Sequence, residues 1–191
     1  MKYFFYLKNM KAFIGILLFL TLYSCNKCIE GEGDSTSKDL ILESFSGIII
    51  SNSAEITISQ GETQKVTAIG NENIIDELLI DVTAGVWDVD FKNDCYKDYN
   101  LSLNIQLPNL KSIKIDGSSD VEINDFLNQE RLELSINGSG DITLHKFSGA
   151  TTLGIDIDGS GNIVARSDFE DIDQLNIGIN GSGDVSLYDI N

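Results

Sequence analysis

Asp116-Gly117-Ser118-Ser119-Asp120, Asn137-Gly138-Ser139-Gly140-Asp141, Asp158-Gly159-Ser160-Gly161-Asn162 and Asn180-Gly181-Ser182-Gly183-Asp184 are four versions of one short motif, with first glycines 21, 21 and 22 residues apart. Regular spacing on this scale marks stacked structural units. Each motif is bracketed by apolar residues in fixed register: Ile115 and Val121, Ile136 and Ile142, Ile157 and Ile163, Ile179 and Val185. Two residues further out stand Ile113 and Ile123, Leu134 and Leu144, Ile155 and Ala165, Ile177 and Leu187. Alternation on both sides of the glycines predicts strand, turn, strand in every unit, with the apolar residues on one face.

A further column follows nine residues after the first glycine, at Phe126, Phe147 and Ile190. In the third unit it falls at Phe169, one residue later, which accounts for the 22-residue spacing. Large apolar side chains at equivalent positions would stack in the interior of a parallel β-helix or solenoid with repeats of about 21 residues. Glycine tolerates positive φ and Asp or Asn can bond its own backbone, so the turns Gly117 to Asp120, Gly138 to Asp141, Gly159 to Asn162 and Gly181 to Asp184 need no ligand. Stacking would place Asp116, Asn137, Asp158 and Asn180 in a row, where alternation of charge and amide limits repulsion. The functional alternative is an acidic ladder for Ca²⁺, but neither the nine-residue β-roll repeat nor an EF-hand pattern is present.

The first half is less regular. Ile48 and Ile50, the linker Ser51-Asn52-Ser53-Ala54-Glu55, and Ile56 and Ile58 read as a degenerate opening coil with Asn52 in the glycine place. Val66 to Gly70 suggests a strand, and Ile80 to Val82 with Val86 to Phe91 a hairpin about Thr83-Ala84-Gly85. Leu101, Leu103, Ile105 and Leu107 alternate until Pro108 ends the strand. Asn73 to Leu79 hints at a helical turn.

Residues 1–24 hold Lys2, Lys8 and Lys11, no acid, and an apolar run from Ala12 to Tyr23 that is too short for a bilayer span of roughly 20 residues. They read as a signal peptide. Leu22-Tyr23-Ser24-Cys25 resembles the bacterial lipobox, which implies lipidation of Cys25; an ordinary secretory signal with an incidental cysteine is the alternative. Residues 25–40, polar and glycine-containing, read as a flexible tether before a domain over 41–191. In an oxidising compartment Cys28 and Cys95 could pair, or remain two free thiols.

The chain carries a formal charge of −17, and without the three lysines of its first 24 residues 10 basic and 30 acidic residues leave −20. Such acidity opposes nucleic-acid binding, disfavours contact with anionic headgroups, and makes a lipid anchor a sensible means of holding the protein at a membrane. With His145 as the one histidine, no multi-imidazole site can form, and no cofactor is expected.

Phe45, Gly47, Ile48 and Ile50 as F-x-G-I-x-I, Leu107 to Ile113 as L-P-N-L-K-S-I, and the serial G-S-G-D turns together resemble the autotransporter-adhesin head domain, the GIN domain, of Bacteroidetes exported proteins. The resemblance spans Phe45 to Leu187. It implies an all-β, right-handed β-helix-like fold at the cell envelope, and it brings no catalytic residues with it.

Of three classes of function, a non-enzymatic binding or adhesion module is the expected one, with a scaffold as the alternative and an enzyme the least favoured. A polysaccharide-processing enzyme would use Asp88, Asp90, Asp94 and Asp98 near Lys92 and Lys97, or His145 near Thr143, although each group also reads as solvated surface. A binding or adhesion module for a glycan or protein could use Tyr96, Tyr99 and Trp87, although Trp87 in an alternating strand reads as core. A scaffolding lipoprotein of the outer membrane would need no ligand. The coil following the fourth turn must be capped or paired, which leaves self-association open.

Overall fold

The computed structural model describes residues 28–93, 95–167, 169 and 172–188, so Cys25, the signal segment, Asp94 and Ile190 lie outside the described residues. The described residues are all-β apart from one short helix, α1 (Glu72–Ile75). Strands are numbered in chain order. One sheet runs, from edge to edge, β6 (Val82–Thr83), β7 (Val86–Val89), β3 (Gly47–Ile50), β10 (Ser112–Ile115), β12 (Arg131–Ile136), β14 (Thr152–Gly159) and β16 (Gln174–Gly181). The other runs β2 (Ser35–Leu40), β5 (Lys65–Asn71), β9 (Leu101–Leu107), β4 (Glu55–Gln60), β11 (Asp120–Ile123), β13 (Ile142–Leu144), β15 (Ile163–Ala165) and β17 (Val185–Ser186). Both sheets are open. A separate pair joins β1 (Ile29–Glu30) to β8 (Tyr96–Lys97).

Each motif-bearing unit adds one strand to each sheet, in parallel register. Ile115 pairs with Ile136, Ile136 with Ile157, and Ile157 with Ile179, while Val121, Ile142, Ile163 and Val185 form the matching row across the turn. The alternation seen in sequence becomes alternation of burial, because a two-residue period sends every second side chain to one face. As far as the β14 and β15 strands those inward residues from both sheets join a single buried cluster, against which Val185 packs partly buried, while Ile179 stays exposed at the edge. Phe126, Phe147 and Phe169 are buried at the corner beyond the second strand, with Phe126 and Phe147 stacked at 6.0 Å between centroids.

The strands on either side of Asn52 pair in register with those on either side of Gly117, as their sequence suggested. β3 pairs with β10 and β4 with β11, which sets Asn52 directly beneath Gly117. The hairpin also forms, closed by the two-residue turn Ala84-Gly85 at φ of 51° and 76°. Left-handed backbone at both central positions is the demand of a tight hairpin turn, and glycine at the second meets it without strain.

The stacked turns correct one expectation. Gly117, Gly138 and Gly159 do not occupy positive φ. A Cβ on them would instead lie 2.5 Å from Asn52 O, 2.2 Å from Gly117 O and 2.1 Å from Gly138 O, so glycine is demanded by the close approach of successive coils. Only Gly181, the fourth, combines both features.

The N-terminal residues give a second correction. Residues expected to form a flexible tether as far as Leu40 include β1 and β2, and β2 makes a six-residue antiparallel ladder with β5. Its side chains are mostly exposed, so Ser35 to Leu40 lack the apolar alternation that reveals a strand. Backbone hydrogen bonds need no such pattern at a sheet edge. The Cys28–Cys95 disulfide, with Cα atoms 4.7 Å apart, fastens this segment to the rest.

Candidate functional site

Two groups of sequence-selected residues come together, and they do different work. The first is the pair of Asx rows at the turns. Asn137 Nδ2 donates to Asp116 Oδ1 at 3.4 Å, and Asn180 Nδ2 donates to Asp158 Oδ1 at 3.2 Å. After the glycines, the backbone N–H groups of Asp141, Asn162 and Asp184 donate to the side-chain oxygens of Asp120, Asp141 and Asn162. Each carboxylate or amide thus satisfies the coil that follows, which is structural work. Among the described residues no three His, Cys, Asp or Glu side chains converge as metal ligands would.

The second group forms a cleft of about 320 Å³, lined by Ser51, Asn52, Asp90, Phe91, Asn93, Tyr96 and Tyr99. β3 and β7 are ladder neighbours, so the residues leaving them meet: Ser51 N–H donates to Val89 O, and Ser51 Oγ donates to Asp88 Oδ1 at 3.1 Å. Asn52 is buried and spends its amide on backbone, donating to Val89 O and accepting from Ala54 N–H. Asp90 Oδ1 accepts the Phe91 N–H at 2.8 Å, which fixes the chain where it leaves β7.

The disulfide and the β1–β8 pair hold the opposite wall. Phe91 lies under Tyr96 at 4.2 Å and meets Tyr99 edge-on at 5.5 Å, and the two tyrosines are 6.4 Å apart and nearly perpendicular. Offset and edge-to-face contacts of this kind lock the rings in place. Tyr96 Oη accepts from the Asn93 N–H and Nδ2 and donates to Glu77 Oε2 at 3.3 Å. Both tyrosines are half-buried. Beside them, Lys97 pairs with Glu30 at 2.8 Å, and that hydrogen bond raises the ammonium pKa above its ordinary value. The result is an open cleft in which the fixed rings of Tyr96 and Tyr99 stand beside amide, hydroxyl and carboxylate groups.

The other candidates each hold separate contacts. Trp87 is completely buried, donates from Nε1 to Leu79 O at 3.0 Å, and packs on Phe45, so it offers no face to a ligand. Lys92 Nζ bonds Asp76 O at the C-terminal cap of α1, and Asp98 sits in a left-handed turn at φ 51°. His145 Nε2 engages Glu122 Oε1 at 2.8 Å on the second sheet. Sequence reasoning selected Tyr96 and Tyr99 but missed Phe91, Asn93 and Ser51 as their neighbours. Phe91 and Asn93 are close in sequence and could have been found, whereas Ser51 arrives only through the β3–β7 pairing.

Among the described residues no helix is long and apolar enough to cross a membrane. No curated protein matches the chain. Two crystal structures share its fold: a putative lipid binding protein from Parabacteroides distasonis, with 18% identity, a TM-score of 0.68, and coverage of 86% of this chain and 78% of that one; and a putative adhesin from the same organism, with 18% identity, a TM-score of 0.61, and coverage of 86% and 77%. The family described as "putative auto-transporter adhesin, head GIN domain" matches residues 44–191, the whole of the coil-bearing region, and the chain belongs to that family.

Proposed function

We propose that this chain is a non-enzymatic adhesion or binding module of the cell envelope, built as a right-handed β-solenoid, anchored by lipid on Cys25, and contacting a saccharide through the Tyr96–Tyr99 cleft. The observation that carries this reading is the cleft itself: aromatic rings fixed by one another and rimmed by groups that can bond hydroxyls. Flat rings cover the apolar faces of sugars, and the rim groups orient the ligand. The charged groups beside the cleft are engaged in local contacts, Asp88 with Ser51, Asp90 with the Phe91 N–H and Lys92 with Asp76 O, while His145 contacts Glu122 on the second sheet, which supports binding over catalysis. Family membership and the adhesin neighbour support the envelope setting.

Cys25 precedes Cys28 by three residues, an extended span of at most about 11 Å. With the anchor in place the cleft faces the membrane-side end of the stack, and the units bearing the glycine turns extend away from it. The expected saccharide is therefore one displayed near that membrane. Globomycin-sensitive processing and loss of membrane association in Cys25→Ala test the anchor; a soluble wild-type protein refutes it. Glycan arrays probed with the exported chain test the cleft. Binding lost in Tyr99→Ala supports adhesion, and no binding beside co-purification with an envelope complex points to scaffolding.

A further inference from the structure

We infer that the free edge of β16 is a self-association surface, on which a second copy of this chain adds its own β16 antiparallel about a two-fold axis through Ile177. β16 pairs along eight residues with β14, and among the described residues no strand lies on its other side. Its inward column is Leu175, Ile177 and Ile179, exposed at 36%, 46% and 48%, whereas the same column one coil earlier, Leu153, Ile155 and Ile157, is buried to 3% or less. Among the described residues the core of the stack therefore reaches this edge uncovered.

The edge also lacks what keeps edges apart. Natural edge strands carry charges, are short, or are covered. At the opposite side of the molecule β2 carries Lys38 and Asp39, which pair with Asp76 and with Lys65, and β6 is two residues long. β16 reads Gln-Leu-Asn-Ile-Gly-Ile-Asn-Gly, eight residues without one charge, in a chain of net −17. Acidic surfaces of two copies repel, and this strand is a place where they can meet without opposing carboxylates.

The occupant follows from length and register. A head-to-tail contact would lay the eight-residue edge on two-residue β6 or on charged β2, which satisfies few backbone groups. An edge of the same length is supplied by a second β16. Antiparallel pairing centred on Ile177 sets Ile177 against itself, Leu175 against Ile179 and Asn176 against Gly178, so all apolar residues stay on the core face and the outer face carries only amides and glycine. Any one-residue slip would put the apolar column opposite the polar one. An isologous contact of this kind closes at two copies. It joins them end to end, with their Cys28 ends farthest apart, so that with the lipid anchor of the proposed function the pairing bridges two facing membranes rather than neighbours on one.

The test uses the exported chain with Cys25→Ser, studied by analytical ultracentrifugation. At tens of micromolar the protein should sediment at twice the monomer mass, and Ile177→Lys, which sets two like charges against each other at the axis, should sediment as a monomer with an unchanged circular dichroism spectrum. On mild oxidation Ile177→Cys should give a covalent dimer and Ile179→Cys should not, because only residue 177 faces itself. A monomer at all concentrations, or equal cross-linking by the two cysteine variants, overturns the proposal. Loss of saccharide binding in Tyr99→Ala leaves these readouts untouched, so the two readings fail separately.

Discussion

Gly138→Ala probes the contact that makes the turns glycine-rich. The added Cβ would lie 2.2 Å from Gly117 O and 3.2 Å from Gly117 C, both backbone atoms with no rotamer to escape into. Relief requires the two coils to part by about 1 Å, which also removes the Ser139 N–H to Gly117 O hydrogen bond, now 3.1 Å. Overpacking costs about 1–3 kcal/mol and the hydrogen bond about 0.5–1.5 kcal/mol, offset by about 0.4–1 kcal/mol because alanine restricts the unfolded chain. The net is a destabilisation between about 0.5 and 4 kcal/mol, about 2 at the midpoints, which corresponds to a fall in Tm of about 4–8 °C for a domain of this size. Urea and thermal unfolding measure it directly. Gly178→Ala is the control, since its Cβ meets only the carboxylate end of Asp156, which can swing away. That variant should stay within about 0.5 kcal/mol of wild type. If Gly138→Ala melts at or above the wild-type temperature, close coil-to-coil approach is not why glycine stands there.

Further perturbations test the stack and its fastening. Asn137→Asp replaces an amide donor with a carboxylate facing Asp116, so stability should drop at pH 7 and recover at high salt or where both carboxyls are protonated, as read by melts across pH. Deleting residues 138–158 removes one 21-residue unit and rejoins strands in the register of their neighbours; the product should keep a cooperative melt at lower Tm, whereas deleting 20 residues should abolish it. Cys95→Ser opens a link spanning 67 residues, and chemical denaturation should report a loss of about 2–4 kcal/mol.

Much of the fold was legible because two periods coincide in one segment. The two-residue alternation of Ile113, Ile115, Val121 and Ile123 announces strands, and its recurrence 21 residues later at Leu134, Ile136, Ile142 and Leu144 announces how they stack. Even the amide-to-carboxylate contacts of Asn137 on Asp116 and Asn180 on Asp158 could be anticipated from that register. The strand at Ser35 to Leu40 was invisible because an exposed edge strand is held chiefly by its backbone ladder, helped by ion pairs at Lys38 and Asp39, and its polar side chains resemble those of a linker. The glycines were assigned the wrong cause, since sequence shows that a position rejects a side chain but not whether conformation or a neighbouring coil rejects it. The cleft was half legible: Tyr96 and Tyr99 stand out as aromatic residues in a polar stretch, but Ser51 and Asn52 reach them through the β3–β7 ladder, a contact between segments that share no local pattern.

The most direct test of the functional reading is a glycan array probed side by side with the exported chain and its Tyr99→Ala variant, both shown to melt alike. The Tyr96–Tyr99 cleft predicts reproducible saccharide binding by the wild-type chain that disappears with the Tyr99 ring. Equal binding by the two proteins would contradict it.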